Sequence, residues 1–282
     1  TPSLATVIDA TELYFEGNKF QNSHVTYNNG TAQADDEKNG IYHTLPSATG
    51  VYSGAIYAGT STLGNTTTKN VLTVDGLNIG GRTLYGGYTQ SVAGDSTGNT
   101  VIVKNAASTV YSNWIYGGWS KRGKATGNTV VLAGNTHPGS YGGMWQYTYV
   151  YGGYSDNTAA DMRTGNTLQV RGIKNGAYSI TNFDKMQFAL DGSVSSGDTM
   201  LNVGATAQTF DWSNISVDKA AEWMAGAHGT KRVTLYQGPA LRLNNYNVSG
   251  TTSSDFEYGI RSNTATPSLA TVIDATELYF EG

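Results

Sequence analysis

The chain has 282 residues, room for one large domain or two ordinary ones. Gly supplies 36 residues and Tyr 19, while charged residues make up only 13%, a strand-and-turn composition that argues against helical bundles and doubly wound α/β folds. Seventeen basic against 21 acidic residues give a net charge of −4, without the basic surface that nucleic-acid binding needs, and with no Cys there are neither disulfides nor thiol chemistry.

Residues 1–50 read as entry strands followed by a polar loop. In TPSLATVIDATELYFEG, residues 1–17, Leu13 and Phe15 alternate with Tyr14 and Glu16 in strand fashion. The acidic run Asp35-Asp36-Glu37 then precedes a Lys38-Asn39-Gly40 turn.

Residues 51–188 carry a degenerate repeat. Four segments share an aromatic-glycine signature around Tyr57, Tyr85, Tyr116 and Tyr151, spaced 28, 31 and 35 residues apart. Each leads to a Gly-Asn turn and a β-rich run: Gly64-Asn65 first, then TGNTVIV from Thr97, TGNTVVL from Thr126 and TGNTLQV from Thr164. Self-similarity at about 30 residues predicts an all-β parallel β-helix, a β-solenoid with loop insertions and at most one short helix. Alternation points Val101 and Val103 into a narrow core, with Ile102 and Val131 on the other face. Stacked turns of such a fold predict an aromatic ladder of Tyr57, Tyr85, Tyr116 and Tyr151 and an amide ladder of Asn65, Asn99, Asn128 and Asn166.

Residues 189–265 lose the signature yet still alternate, as in Thr199–Val203 and Arg232–Tyr236. The stretch 218–227 is the one credible helix, expected to be capped by Asp218 and to decorate the solenoid. Residues 266–282 then repeat residues 1–17 at all seventeen positions, an offset of 265. A cloning scar, a designed overlap and a window on a tandem array all produce such a match. The segment ELYFEG resembles a common protease tag but lacks the glutamine before its final glycine. We read residues 266–282 as the start of the next repeat copy, extending the sheet and covering its open edge. At about 30 residues per turn, one period amounts to about nine turns, or ~40–45 Å of rise.

The YGGY…TGNTVxV recurrence, with SGDTMLNVGATAQTFDWSNISV from Ser196 and KRVTLYQG from Lys231, resembles the β-solenoid passenger regions of bacterial autotransporter adhesins and related large repeat surface proteins. The resemblance covers roughly residues 51–240. It implies a secreted, right-handed parallel β-helix at the bacterial cell surface, acting as stalk or adhesin. Two features depart from that family: there is no membrane barrel here, and a perfect 265-residue duplication is not typical of one passenger.

Catalytic groups do not assemble in the sequence. His24, His43, His137 and His228 are scattered without metal-ligand spacing, and His137 precedes a Pro138-Gly139 turn. Asp35, Asp36 and Glu37, like Asp156 and Asp161, read as solvated loop acids rather than a convergent pair. No nucleophile elbow, phosphate loop or calcium-binding nonapeptide is present, so a β-helix polysaccharide enzyme is the least favoured class, and no catalytic residue, cofactor or metal is expected. Trp114, Trp119, Trp145, Tyr147 and Tyr149 crowd one region and are candidates for a glycan- or host-surface-binding face, with coil-to-coil packing as their other role. No apolar run approaches the ~20 residues needed to cross a bilayer. The expectation is a structural extracellular protein, a repeat unit of a long surface stalk or fibre, whose partner is its own head-to-tail neighbour. An adhesin passenger domain is the alternative.

Overall fold

Glycine and asparagine at the corners and alternating β-branched residues between them organise the chain into successive rounds, each laying strands on separate sheets. The computed structural model describes residues 24–28, 31–35, 55–61, 65–76, 82–105, 113–136, 148–225, 231–246, 257–262 and 272–281. A short pair, β1 (His24–Asn28) and β2 (Thr31–Asp35), comes first. The next three rounds follow one plan: β3 (Ala55–Ser61), β4 (Thr67–Thr68) and β5 (Val71–Asp75); β6 (Thr83–Thr89), β7 (Ser96–Thr97) and β8 (Thr100–Lys104); β9 (Asn113–Ser120), β10 (Ala125–Thr126) and β11 (Thr129–Leu132). Two rounds lack the short middle strand: β12 (Thr148–Ser155) with β13 (Thr167–Arg171), and β14 (Asn175–Thr181) with β15 (Lys185–Ala189). The sixth holds β16 (Thr199–Thr206), β17 (Phe210–Asp211), a 3-10 turn at Trp212–Asn214, β18 (Ile215–Asp218) and the helix α1 (Ala220–Met224). Three strands end the chain, β19 (Arg232–Asn244), β20 (Glu257–Ser262) and β21 (Val272–Glu281).

Like strands of successive rounds pair side by side and in parallel. One sheet runs β18-β15-β13-β11-β8-β5-β1-β2, a second β10-β7-β4, and a third β20-β21-β19-β16-β14-β12-β9-β6-β3, with β17 also pairing β19. Register converts sequence repetition into rows of like side chains. Leu72, Val101, Val130, Leu168 and Met186 face one another along the first sheet, and Val74, Val103, Leu132, Val170 and Phe188 form the next row. Ile56, Leu84, Ile115, Val150 and Ile180 form the opposing row on the third sheet. These side chains join one continuous apolar core. Burying each such apolar side chain contributes roughly 1.5–3 kcal/mol, repeated in every round.

Sharp corners need left-handed backbone. Two residues before the second long strand of the first four of these rounds, the backbone has φ near +60°: Lys69 (56°), Gly98 (66°), Gly127 (66°) and Gly165 (71°). Gly at three of the four positions removes the Cβ clash of that conformation.

The fold is all-β with parallel sheets, but a strand near each end of the stack reverses. β1 pairs β2 antiparallel, and β21 runs antiparallel to both β19 and β20. Residues 272–281 of the duplicated segment therefore join the sheet, as one strand of opposite direction and not as a further parallel turn. The helix also differs from expectation. Asp218 is the last residue of β18, paired with Ala189, so it is unavailable as a cap. Lys219, left-handed at φ 62°, stands at the N-cap without a side-chain hydrogen bond. The five-residue helix is anchored by Trp223, whose buried indole N–H donates to the Val194 carbonyl at 2.8 Å. Among the described residues no helix is long and apolar enough to cross a membrane.

Candidate functional site

Two side-chain arrays dominate the described structure: a buried amide row and an outward aromatic face. The amide row consists of Asn70, Asn99, Asn128 and Asn166, all fully buried. The carboxamide oxygens of Asn99, Asn128 and Asn166 each accept from the round before. Asn70 Nδ2 donates to Asn99 Oδ1 at 2.8 Å, and Asn99 Nδ2 donates to Asn128 Oδ1 at 3.1 Å. Asn128 Nδ2 reaches Asn166 Oδ1 at 3.3 Å, and its backbone N–H reaches the same oxygen at 2.8 Å. The row ends where Asn166 Nδ2 turns to the Ala125 carbonyl, at 2.9 Å. Thr67, Thr89 and Ser96, also buried, link hydroxyls beside it at 3.0 Å.

The first member of the row is Asn70. Asn65 lies off the row, its backbone N–H held by Ser61 Oγ at 3.1 Å. The reason is positional: Asn70 directly precedes β5 and follows the left-handed Lys69, as Asn99 precedes the run of β8 after Gly98. Counting back from the strand finds Asn70, whereas matching the Gly-Asn dipeptide finds Asn65.

The amide row explains the second glycine of each aromatic-glycine signature. A Cβ on Gly118 lands 2.5 Å from Asn128 Nδ2, and one on Gly153 lands 2.7 Å from Asn166 Nδ2. Gly59 and Gly87 meet Asn70 and Asn99 in the same way. The two motifs are thus halves of one packing unit, the glycine supplying the space that the asparagine fills.

On the outer face of the third sheet the tyrosines stack. Tyr57–Tyr85, Tyr85–Tyr116 and Tyr116–Tyr151 have ring centroids 5.1, 5.2 and 5.0 Å apart, with planes within 10–19° of parallel. A second row lies beside it, Tyr88 on Trp119 at 4.5 Å and Trp119 on Tyr154 at 6.5 Å. The rows interlock, as in Tyr85–Tyr88 at 4.7 Å and Tyr116–Tyr154 at 5.7 Å. A third cluster joins Trp114 to Tyr149 at 6.0 Å and Tyr149 edge-on to Tyr178 at 5.1 Å. Trp114 is the most open of these rings, 36% exposed. Trp145 and Tyr147 lie outside the described residues.

Sequence reasoning missed Tyr88, Tyr154 and Tyr178. In an ideal strand, positions i and i+3 face opposite sides. Here both glycines of the signature are buried, alternation breaks between them, and the aromatic residues on either side turn outward together. Burial, and then the neighbouring tyrosines, push the phenols of Tyr85, Tyr116 and Tyr151 above their usual range near pH 10.

The acids and histidines are dispersed. Asp161 accepts the backbone N–H groups of Arg163 and Thr164, both at 3.0 Å, which hold its carboxyl below the usual carboxylate range. His24 and Asp35 belong to β1 and β2, while His43, His137, His228, Asp36 and Glu37 lie outside the described residues. Among the described residues no three His, Cys, Asp or Glu side chains are grouped to hold a metal ion. A hollow of about 400 Å³ is lined by Gln169, Arg171, Gln187, Asp191, Asp218 and Lys219, side chains of both charges.

Compared with protein-family models, curated proteins and solved structures, the chain finds no match.

Proposed function

We propose that the chain is a β-solenoid repeat unit of an extracellular structural protein, a stalk or fibre at a bacterial cell surface, assembled head to tail. The supporting observation is the unbroken register of identical side chains from round to round: tyrosine on tyrosine outside, asparagine on asparagine inside. Ladders of this kind serve rigidity, because each round's buried amides find partners in the rounds on either side. The resemblance of the YGG and TGNTV recurrence to autotransporter passenger regions supports the same reading. So does the verbatim return of residues 1–17 at 266–282.

Nine strands lie side by side from β3 to β20, about 38 Å at the usual ~4.8 Å strand spacing, and one more spacing to the next copy makes an axial unit of about 43 Å. The test is the mass of the native polypeptide after full denaturation, together with electron microscopy of its assemblies. The reading expects filaments with an axial unit near that length, from either a chain many units long or single units joined non-covalently. Particles that stay single at every concentration, from a chain of one unit, overturn it.

The aromatic face favours a second reading, a surface that stacks on sugars, since the ring clusters gather on one sheet face with Trp114 open to solvent. Trp114→Ala is expected to weaken polysaccharide binding at least tenfold without moving the melting temperature. Undiminished binding assigns the strip to packing alone.

A further inference from the structure

The chain carries one seventeen-residue sequence twice, at 1–17 and 266–282, and the structure shows a place for one copy. β21 lies between β19 and β20 and pairs with both. Its alternate side chains Ile273, Ala275, Leu278 and Phe280 are completely buried in the core. Its polar side is matched as closely. Glu277 accepts from Arg232 Nη2 and from the Thr234 hydroxyl, each at 3.1 Å, and faces Arg261 Nε at 3.4 Å. The Arg232 guanidinium lies 3.6 Å from the Tyr279 ring centroid, and Arg242 stands 3.6 Å from Asp274.

Residues 1–17 reproduce every one of these groups, 265 positions earlier: Ile8, Ala10, Leu13 and Phe15 for the core, Asp9, Glu12 and Tyr14 for the polar partners. We propose that the slot between β19 and β20 is a donor-strand site, and that its second occupant is the segment 1–17 of another copy of this chain. The inference deepens the head-to-tail reading and rests on it for the direction of growth.

Reach decides whose slot is filled. Seven steps along the chain separate Gly17 from His24, the start of β1, and span at most ~25 Å. β1 and β18 stand six strand spacings apart on their sheet, about 29 Å, and β21 lies two strands beyond β16 on the other sheet. The segment therefore falls short of its own slot. The strand that the donor leads into, β1, and the slot sit at opposite ends of the stack, which makes the contact heterologous and open-ended. Within one chain β21 holds the slot at an effective concentration of order millimolar, so a free second copy competes only when β21 is weakened or when the peptide is abundant.

The natural absence of Cys permits a clean trap. Arg242 and Asp274 are paired in register and exposed at the surface, so Cys at these two positions closes a disulfide within the chain. The equivalent donor position in the first copy is Asp9. The test uses the full chain carrying Arg242→Cys, Asp9→Cys and Phe280→Asp, oxidised and run on a non-reducing gel. The expected result is a ladder at multiples of the chain mass, lost when Phe15→Asp is added. A second measurement leaves β21 intact: a synthetic peptide of residues 1–17 with Asp9→Cys, at millimolar concentration, is expected to form a mixed disulfide with the Arg242→Cys chain. The same peptide with Phe15→Asp is expected to form less than one tenth as much.

If neither the ladder nor the peptide adduct appears while Arg242→Cys with Asp274→Cys closes normally, the donor-strand proposal is overturned. Filaments seen in that case leave the head-to-tail reading standing on another contact. A disulfide-linked species that stops at closed dimers supports the donor strand and removes the fibre.

Discussion

Asn128 places its whole carboxamide inside the protein. Its Nδ2 donates to the Ser96 carbonyl at 3.0 Å and to Asn166 Oδ1 at 3.3 Å, and its Oδ1 accepts from Asn99 Nδ2 at 3.1 Å and from the Asn99 backbone N–H at 3.0 Å. Asn128→Ala strands several of these partners away from water and is expected to cost about 2–4 kcal/mol, since each buried unsatisfied group costs roughly 1–3 kcal/mol. Gly118→Ala presses a methyl onto the same carboxamide and onto Ser96 Oγ, an overpacking cost of about 1–3 kcal/mol. The two changes share one space, so the double variant is expected to be less destabilised than the sum of the singles, by 0.5 kcal/mol or more. Urea unfolding of the four proteins measures the cycle. Additive effects refute the idea that glycine and asparagine act as one unit.

At the scale of strands and corners, what the sequence disclosed follows from how local each cause is. The tyrosine positions were legible because recurrence alone puts Tyr57, Tyr85, Tyr116 and Tyr151 at one register position, and parallel pairing keeps them there. Asn70 was not, because Lys69 occupies the left-handed corner that Gly fills in the next three rounds, and the glycine was the visible marker. Tyr88 and Tyr154 were hidden by the broken alternation at the paired glycines. The direction of β21 had no local signal at all, since an alternating strand pairs either way and only tertiary packing chooses. The stacked row also has a titration signature. Tyr85, Tyr116 and Tyr151 hold their protons more tightly folded than unfolded, so between the ordinary phenol range near pH 10 and their raised values the folded state binds more protons. Their contribution to stability is complete below about pH 10 and falls as pH rises through that window. Phenolate absorbance is expected to show a late-titrating set that ionises together with loss of β structure. Smooth titration of all 19 tyrosines around pH 10 refutes the packed row.

For the whole molecule, a stack in which each round contacts mainly its neighbours distributes stability along its length, low at the ends and high in the middle. Sequence position and position in the stack then part company at β21. It is the last described strand of the chain, where fraying is the usual expectation, yet it lies inside the sheet with a partner on each side. β20 precedes it in sequence but occupies the edge. Amide hydrogen exchange read by mass spectrometry separates the two orders. Residues 272–281 are expected to exchange at least tenfold more slowly than residues 257–262, with β9 and β12 in the middle of the stack among the slowest of all. Equal, rapid exchange of β20 and β21 means that the final strand is only loosely laid on β19. In that event the sheet edge at β19 is open, and the duplicated segment has no privileged place to complete it.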